Sequence, residues 1–178
     1  MNNAPNEPGR NPAGLFCENP AISSPCPETA AHSLDAWRRG IIVRAEAGTA
    51  ALASLLAERL PVNTTLALHG GLGAGKTTFA RAFAHAIGVR ENVTSPSFAI
   101  FNLYETPARQ FAHVDAYRLG APADADTLLL WDLLRPPWTL LVEWPENLGD
   151  RLPPDAWHLH ISPLPFPAPA SHRLLRLE

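Results

Sequence analysis

Apolar residues recur along this chain in short runs separated by glycine, proline and polar positions, a pattern typical of alternating strands and helices. Strand-like runs are predicted at residues 41–44, 64–69, 98–104, 111–115, 139–142, 157–163 and 171–177. Helical spacing of apolar residues is predicted at residues 49–60, 76–87 and 122–134. The third and fourth strands are joined by a connection too short for a parallel crossover. We therefore expect an α/β fold with a mixed sheet of about seven strands.

The first 33 residues differ in composition from the rest of the chain. They hold six prolines and five asparagines but few large apolar residues, so they cannot bury enough surface to offset the entropy of ordering. We predict a disordered tail over residues 1–33 and one folded domain over residues 34–178. Both cysteines, Cys17 and Cys26, fall in the tail and match no metal-binding spacing.

Charge and hydropathy narrow the class of partner. The formal net charge is −3 and the arginines are scattered without a basic run, so we expect no tight direct contact with nucleic acid. No stretch approaches a membrane span in length, and the N-terminus lacks the charged and apolar segments of a secretory signal. These observations predict a cytoplasmic protein that does not associate with a membrane.

The strongest chemical signal lies between the second predicted strand and the helix predicted at 76–87. The spacing there is the G-x-x-x-x-G-K-[ST] of a phosphate-binding loop, formed by Gly70, Gly71, Leu72, Gly73, Ala74, Gly75, Lys76, Thr77 and Thr78. Glycines let backbone N–H groups point at phosphate oxygens, and the helix N-terminus adds a favourable dipole. Lys76 is the only lysine in the chain, and its compact ammonium suits a place between phosphate oxygens. We predict that Lys76 binds nucleotide phosphates and that Thr77 ligates Mg²⁺.

Two carboxylates complete the predicted site. Asp115 and Glu143 each end an apolar strand, where a phosphate-binding loop usually finds the acid that anchors Mg²⁺. One of them could hold the metal while the other orients the attacking water, and both assignments stay open. For each acid alone, a strand-end charge that faces solvent is the alternative.

Three further features each have two interpretations. Trp144 follows Glu143 and either packs in the core or faces the nucleotide or a partner. Ser97 either caps a turn or places its hydroxyl near the γ-phosphate. His158 and His160 alternate along a strand without a carboxylate or thiol nearby in sequence, which favours ordinary surface histidines over metal ligands.

Four motifs carry a family resemblance. They are GGLGAGKTT at residues 70–78, TSPSF at 94–98, HVDAYRL at 113–119 and VEWPE at 142–146. In this order and spacing they resemble the bacterial TsaE family, also called YjeE-like, from about residue 41 to the C-terminus. The resemblance implies a P-loop NTPase-like three-layer core and a small ATPase that uses ATP and Mg²⁺. It also implies a role in threonylcarbamoyladenosine synthesis beside the anticodon of tRNA, with TsaB- and TsaD-like partners and only indirect contact with tRNA.

The resemblance also implies roles for the candidate residues. Lys76 would contact the phosphates, Thr77 and Glu143 would lie at Mg²⁺, and Asp115 would be the second acid needed for hydrolysis. These are the expected catalytic and metal-binding residues.

Other matched positions are implied to lie near the nucleotide or a partner. Ser97 and Trp144 fall in such segments, and a looser match on the last strand extends this to Arg173. The chain departs from the family in having Gly71 where aspartate is usual, which is expected to loosen the loop. It also has Ser97 where threonine is usual, which keeps the hydroxyl.

A small-molecule or nucleoside kinase is the main alternative, since it would share the phosphate-binding loop. Kinase lids often carry several arginines, whereas Arg109, Arg118 and Arg135 are isolated in sequence. A GTPase is disfavoured because its Asn-Lys-x-Asp motif needs a second lysine. A purely structural role with a vestigial nucleotide site is disfavoured because Thr77 and both acids are present.

Overall fold

The computed structural model describes residues 33–96 and 100–178 of the chain, within which one sheet runs through the centre of the domain. Its strands are β1 (Ile41–Val43), β2 (Thr64–His69), β3 (Phe101–Glu105), β4 (Gln110–Asp115), β5 (Trp138–Glu143), β6 (Trp157–Pro163) and β7 (Arg173–Leu177). The helices are α1 (Leu34–Arg39), α2 (Glu46–Ala57), α3 (Lys76–Ala86) and α4 (Leu130–Leu133). The predicted tail, apart from residue 33, lies outside the described residues, as do Ser97 and the first residues of the strand predicted at 98–104.

The seven-stranded sheet is mixed, as predicted. Its strand order is β1-β7-β6-β2-β5-β4-β3. β2 lies parallel to β5 and β6, and β5 lies parallel to β4, whereas β1 with β7, β3 with β4, and β6 with β7 are antiparallel. The parallel register places Glu143 beside both Leu68 and Asp115. The loop after β2 and the two predicted acids therefore meet at one edge of the sheet.

Alternating apolar residues on the central strands give the sheet two buried faces. On one face, Leu66 of β2 and Leu141 of β5 share a core with Phe83 of α3. On the other, Val142 of β5 shares a second core with Leu148 of the 3₁₀ helix Pro145–Arg151. Each such fully buried side chain contributes roughly 1.5–3 kcal/mol, so both layers hold the sheet edge in place.

The helix predicted at 122–134 is wrong as a single element. A 3₁₀ helix covers Pro122–Leu128, and α4 begins only after Leu129, whose φ of 47° is left-handed. The Asp124 carboxylate accepts hydrogen bonds from the backbone N–H groups of Gly120 and Ala121. Such local side-chain bonds compete with α-helical hydrogen bonding, and the left-handed residue then breaks the axis.

The other helix boundaries lie close to the predicted ones. α2 begins at Glu46 rather than at residue 49, and it ends at Ala57. α3 begins at Lys76 as predicted, and Gly88 follows its end with a φ of 101°. Over residues 33–96 and 100–178, no helix is long and apolar enough to cross a membrane.

Candidate functional site

The loop between β2 and α3 depends on glycines for two different reasons. At Gly70, a Cβ would lie 2.3 Å from the carbonyl oxygen of Ile161 on β6, so a side chain has no room. At Gly75, which directly precedes α3, space is open but φ is 104°, a conformation that only glycine adopts readily. These bends end the loop at the N-terminus of α3, where unpaired backbone N–H groups favour an anion.

Lys76 lies buried inside this loop, with 5% of its surface exposed. Its Nζ donates to the carbonyl oxygens of Gly70 at 2.6 Å and Gly71 at 3.0 Å, and it lies 3.6 Å from the Trp144 ring centroid. Burial lowers the pKa of Lys76, and the negative charge of Glu143 is the largest influence opposing that shift. The ammonium is therefore held among backbone carbonyls, an aromatic face and acidic groups.

Glu143 and Thr77 form the polar centre of the site. The Thr77 hydroxyl donates to Glu143 Oε2 at 3.1 Å, and the carboxylate is almost fully buried. Neighbouring ligands of an octahedral Mg²⁺ at 2.0–2.1 Å lie about 2.9 Å apart, so these two oxygens fit one metal ion. Within the described residues, no group of three or more His, Cys, Asp or Glu side chains could hold a metal. A Mg²⁺ here would therefore take further ligands from phosphate and water.

Asp115 lies beside Glu143 in the sheet and is held by two donors. Its Oδ2 accepts from the Ser95 hydroxyl at 2.7 Å, and its Oδ1 accepts from the Tyr117 backbone N–H at 3.2 Å. Sequence reasoning did not predict a role for Ser95, although it lies in the TSPSF motif that drew attention to Ser97. The structure thus brings both acids to the loop, and Asp115 is held there by the Ser95 hydroxyl and the Tyr117 backbone N–H.

A cleft of about 480 Å³ joins these groups. It is lined by Leu72, Gly73, Ala74, Gly75, Lys76, Thr77, Thr78, Ser95, Asp115, Tyr117, Arg118, Glu143 and Trp144. Trp144 is half-buried, packs against the second core, and has its ring centroid 5.0 Å from that of Tyr117. The Trp144 side chain therefore both packs on the core and forms part of the cleft wall, and its contact with a nucleotide or partner stays a prediction.

Arg173 contacts the loop itself. Its Nε donates to the Ala74 carbonyl at 2.9 Å, and its Nη2 donates to the Gly73 carbonyl at 3.2 Å. Arg173 also lines a second cavity of about 300 Å³, together with Glu46 and Thr78. The guanidinium thus ties the last strand to the back of the phosphate-binding loop.

His160 has a carboxylate partner and His158 has a histidine partner, neither of which the local sequence shows. His69 Nδ1 lies 2.6 Å from Glu146 Oε1, and His69 Nε2 lies 2.8 Å from His158 Nδ1. His160 Nε2 lies 3.3 Å from Glu178 Oε2, and its ring stacks on His69 with centroids 4.4 Å apart. Their description as ordinary surface histidines is therefore incomplete, because sheet register gathers three imidazoles into one cluster.

His113 is a site residue that sequence reasoning missed. It is fully buried on β4, and its Nε2 lies 3.0 Å from Glu143 Oε1. The signal available in sequence was its place two residues before Asp115 in the HVDAYRL motif. His113 and Thr77 together contact both oxygens of Glu143.

Comparison with known proteins gives a consistent family. The family model described as "Threonylcarbamoyl adenosine biosynthesis protein TsaE" matches residues 43–165. A relative from Rickettsia felis named "tRNA threonylcarbamoyladenosine biosynthesis protein TsaE" is 36% identical over 115 residues, which is 64% of this chain and 67% of the relative. A Bacillus subtilis protein of the same name is 35% identical over 105 residues, or 59% of this chain and 65% of the relative.

A solved structure supports the same relationship. The crystal structure of Bacillus subtilis YdiB superposes with a TM-score of 0.60 and 28% sequence identity, covering 76% of this chain and 81% of that one. The residues that the family model matches, 43–165, include the whole phosphate-binding loop and both acids. The chain therefore belongs to the TsaE family.

Proposed function

We propose that this protein binds MgATP and hydrolyses it slowly, as an accessory ATPase required for threonylcarbamoyladenosine modification of tRNA beside the anticodon. One observation carries the proposal. One cleft is lined by the phosphate-binding loop with its lysine, by a threonine and a glutamate spaced for Mg²⁺, and by a second acid. The chain belongs to a family whose description names threonylcarbamoyladenosine biosynthesis, and this supplies the biological setting.

The loop and Lys76 would bind the triphosphate. On nucleotide binding, the Lys76 ammonium would exchange the Gly70 and Gly71 carbonyls for phosphate oxygens, which are stronger acceptors. Backbone N–H groups at the start of α3 would bind other phosphate oxygens. The Trp144 ring, 3.6 Å from the ammonium, gives it a favourable aromatic face beside the cleft.

The two acids would divide the remaining work. Thr77 and Glu143 would hold Mg²⁺, which when bound neutralises charge on the phosphate oxygens. Asp115, fixed by Ser95 and the Tyr117 N–H, would orient the attacking water and accept its proton. The hydrogen bond between Thr77 and Glu143 supports this assignment.

The nucleotide site is tested by substitution. Lys76→Ala should lose MgATP binding. Glu143→Ala should lose the part of its nucleotide affinity that depends on Mg²⁺. Asp115→Asn should bind MgATP but lose hydrolysis. Asp155→Asn, an exposed acid outside the cleft, is the matched control. Parent-like binding and hydrolysis by both Lys76→Ala and Glu143→Ala would contradict the mechanism. Phosphate transfer to members of a nucleoside panel would favour a kinase instead.

The proposed partners are TsaB- and TsaD-like proteins, which would transfer the threonylcarbamoyl group while this ATPase resets their complex. A net charge of −3 without a basic run supports indirect rather than direct contact with tRNA. Action on tRNA would place the protein in the cytoplasm. Co-purification with both partners at micromolar concentration in the presence of nucleotide is expected, and failure to associate would contradict this part of the proposal.

A further inference from the structure

His113 is a buried titratable residue that directly contacts the proposed metal ligand. It has no exposed surface, and its ring packs beside Phe111 with centroids 6.3 Å apart. Its Nε2 lies 3.0 Å from Glu143 Oε1, whereas its buried Nδ1 has no hydrogen-bond partner among residues 33–96 and 100–178. The two ring nitrogens therefore stand in opposite environments.

These environments select one form of the ring. An ionised carboxylate only accepts hydrogen bonds, so Nε2 must carry the proton and donate it to Glu143. A proton on Nδ1 would leave a buried N–H without an acceptor among the described residues, which is costly. The contact thus fits a ring that carries a proton on Nε2.

The two contacts fix both oxygens of Glu143. Oε1 accepts from His113, and Oε2 accepts from Thr77 at the mouth of the loop. A carboxylate held at only one oxygen can rotate about its last side-chain bond, since such torsions are broad. With Oε1 anchored from inside the sheet, Oε2 is held toward Thr77 and the cleft.

We propose that His113 is a positioning residue that orients Glu143 for Mg²⁺. The inference rests on the proposed function, because it assigns the metal to Thr77 and Glu143. Partners that orient metal ligands typically contribute 10–100-fold in metal affinity or activity. His113→Leu should therefore raise the Mg²⁺ concentration needed for half-maximal nucleotide binding by about 10–100-fold.

Two variants separate positioning from general damage. His113→Gln places an amide N–H near the position of Nε2 and should restore the Mg²⁺ requirement to within a few-fold of the parent. Phe111→Leu alters the same face of β4 without touching Glu143, so its Mg²⁺ requirement should be unchanged. Nucleotide binding measured in EDTA should be the same in all variants, since His113 acts only through the metal ligand.

The test uses the full chain, with Mg²⁺ titrated at fixed ATP in a binding assay. If the parent binds no MgATP, the proposed function fails. If the parent binds MgATP but His113→Leu has the same Mg²⁺ requirement, the positioning role is overturned. NMR of ¹⁵N-histidine-labelled parent protein gives an independent readout that needs no variant to fold. A proton on Nε2 of His113 supports the proposal, and a proton on Nδ1 overturns it.

Discussion

Single residues in the loop are constrained by different local forces. Gly70 is fixed by contact with β6 and by its φ of 145°, Gly75 by its φ of 104°, and Gly71 by neither, because a Cβ there meets nothing within 4 Å among the described residues. The motif in sequence treats its glycines alike, whereas the structure distinguishes them. The aspartate that the family resemblance leads us to expect at position 71 would find open space among the described residues, so the expected loosening comes from glycine's freedom rather than from a packing defect.

Substitution should distinguish the constrained Gly70 from the unconstrained Gly71. Gly70→Ala should lower the free energy of unfolding by about 1–3 kcal/mol, because its Cβ clashes with a backbone carbonyl. Gly71→Ala should leave it unchanged or raise it by about 0.4–1 kcal/mol, by reducing the freedom of the unfolded chain. Urea denaturation of the full-length proteins measures both. Equal effects of the two substitutions would contradict the distinction.

The histidine cluster predicts a pH dependence of stability. Burial is the main cause that lowers the pKa of His160, aided by electrostatic interaction with His69 and Arg176 and opposed by Glu178. His158 alternates with His160 on the same strand and also belongs to the cluster. The folded state favours neutral His160. The contribution of this residue to the free energy of unfolding is therefore fully present above the pKa of the unfolded state, about 6.5, and is lost as the pH drops below that value.

The measurement is the free energy of unfolding in urea between about pH 7.5 and pH 5.5. The parent should lose stability on acidification, and His160→Gln should lose less, because glutamine cannot be protonated in this range. The same loss in both proteins would show that other groups cause the pH dependence.

At the scale of elements, the strands follow from sequence better than the segments between them. Residues 64–69 were predicted as a strand because their apolar run is bounded by polar and glycine positions, and β2 has those same bounds. The break at Leu129 was missed because apolar spacing continues across it, while the hydrogen bonds of Asp124 and a left-handed residue decide the conformation. The spacing of apolar residues does not show where side-chain hydrogen bonds compete with those of an α-helix.

Contacts between distant elements were the least predictable part of the site. The two acids were found because each ends a strand, and parallel strand ends meet at one edge. The partners of His160 and Arg173 depend on the strand order β7-β6-β2, which the sequence pattern did not give. The chemistry of the phosphate-binding loop could thus be predicted from the motif, whereas the contacts from distant strands that support the loop could not.

Arg173 gives a prediction at this scale. Arg173→Ala removes charged hydrogen bonds from the last strand to the Ala74 and Gly73 carbonyls. Such bonds contribute about 1.5–3 kcal/mol, so nucleotide affinity should fall about tenfold or more through a less ordered loop. Fluorescence titration with nucleotide measures this. Arg176→Ala, on the same strand but paired with Glu178, is the matched control and should bind normally. Unchanged affinity in Arg173→Ala would remove the supporting role.

At the scale of the whole molecule, one sheet edge gathers the loop, both acids and the aromatic wall of the cleft. The two cores on opposite faces of the sheet hold β2, β4 and β5 in register, and so set the distances between these groups. In cells, depletion of the protein should lower the amount of threonylcarbamoyladenosine in tRNA, as measured by mass spectrometry of digested tRNA. An unchanged amount would contradict the proposed biological role.

Calorimetry of the purified full-length chain with ATP and Mg²⁺ tests the central claim most directly. The parent should give a heat of binding that fits one site, and Lys76→Ala should bind at least about tenfold more weakly, since it loses charged contacts with phosphate. If the parent gives no heat of binding, even with TsaB- and TsaD-like partners present, the assignment of this cleft to MgATP is contradicted.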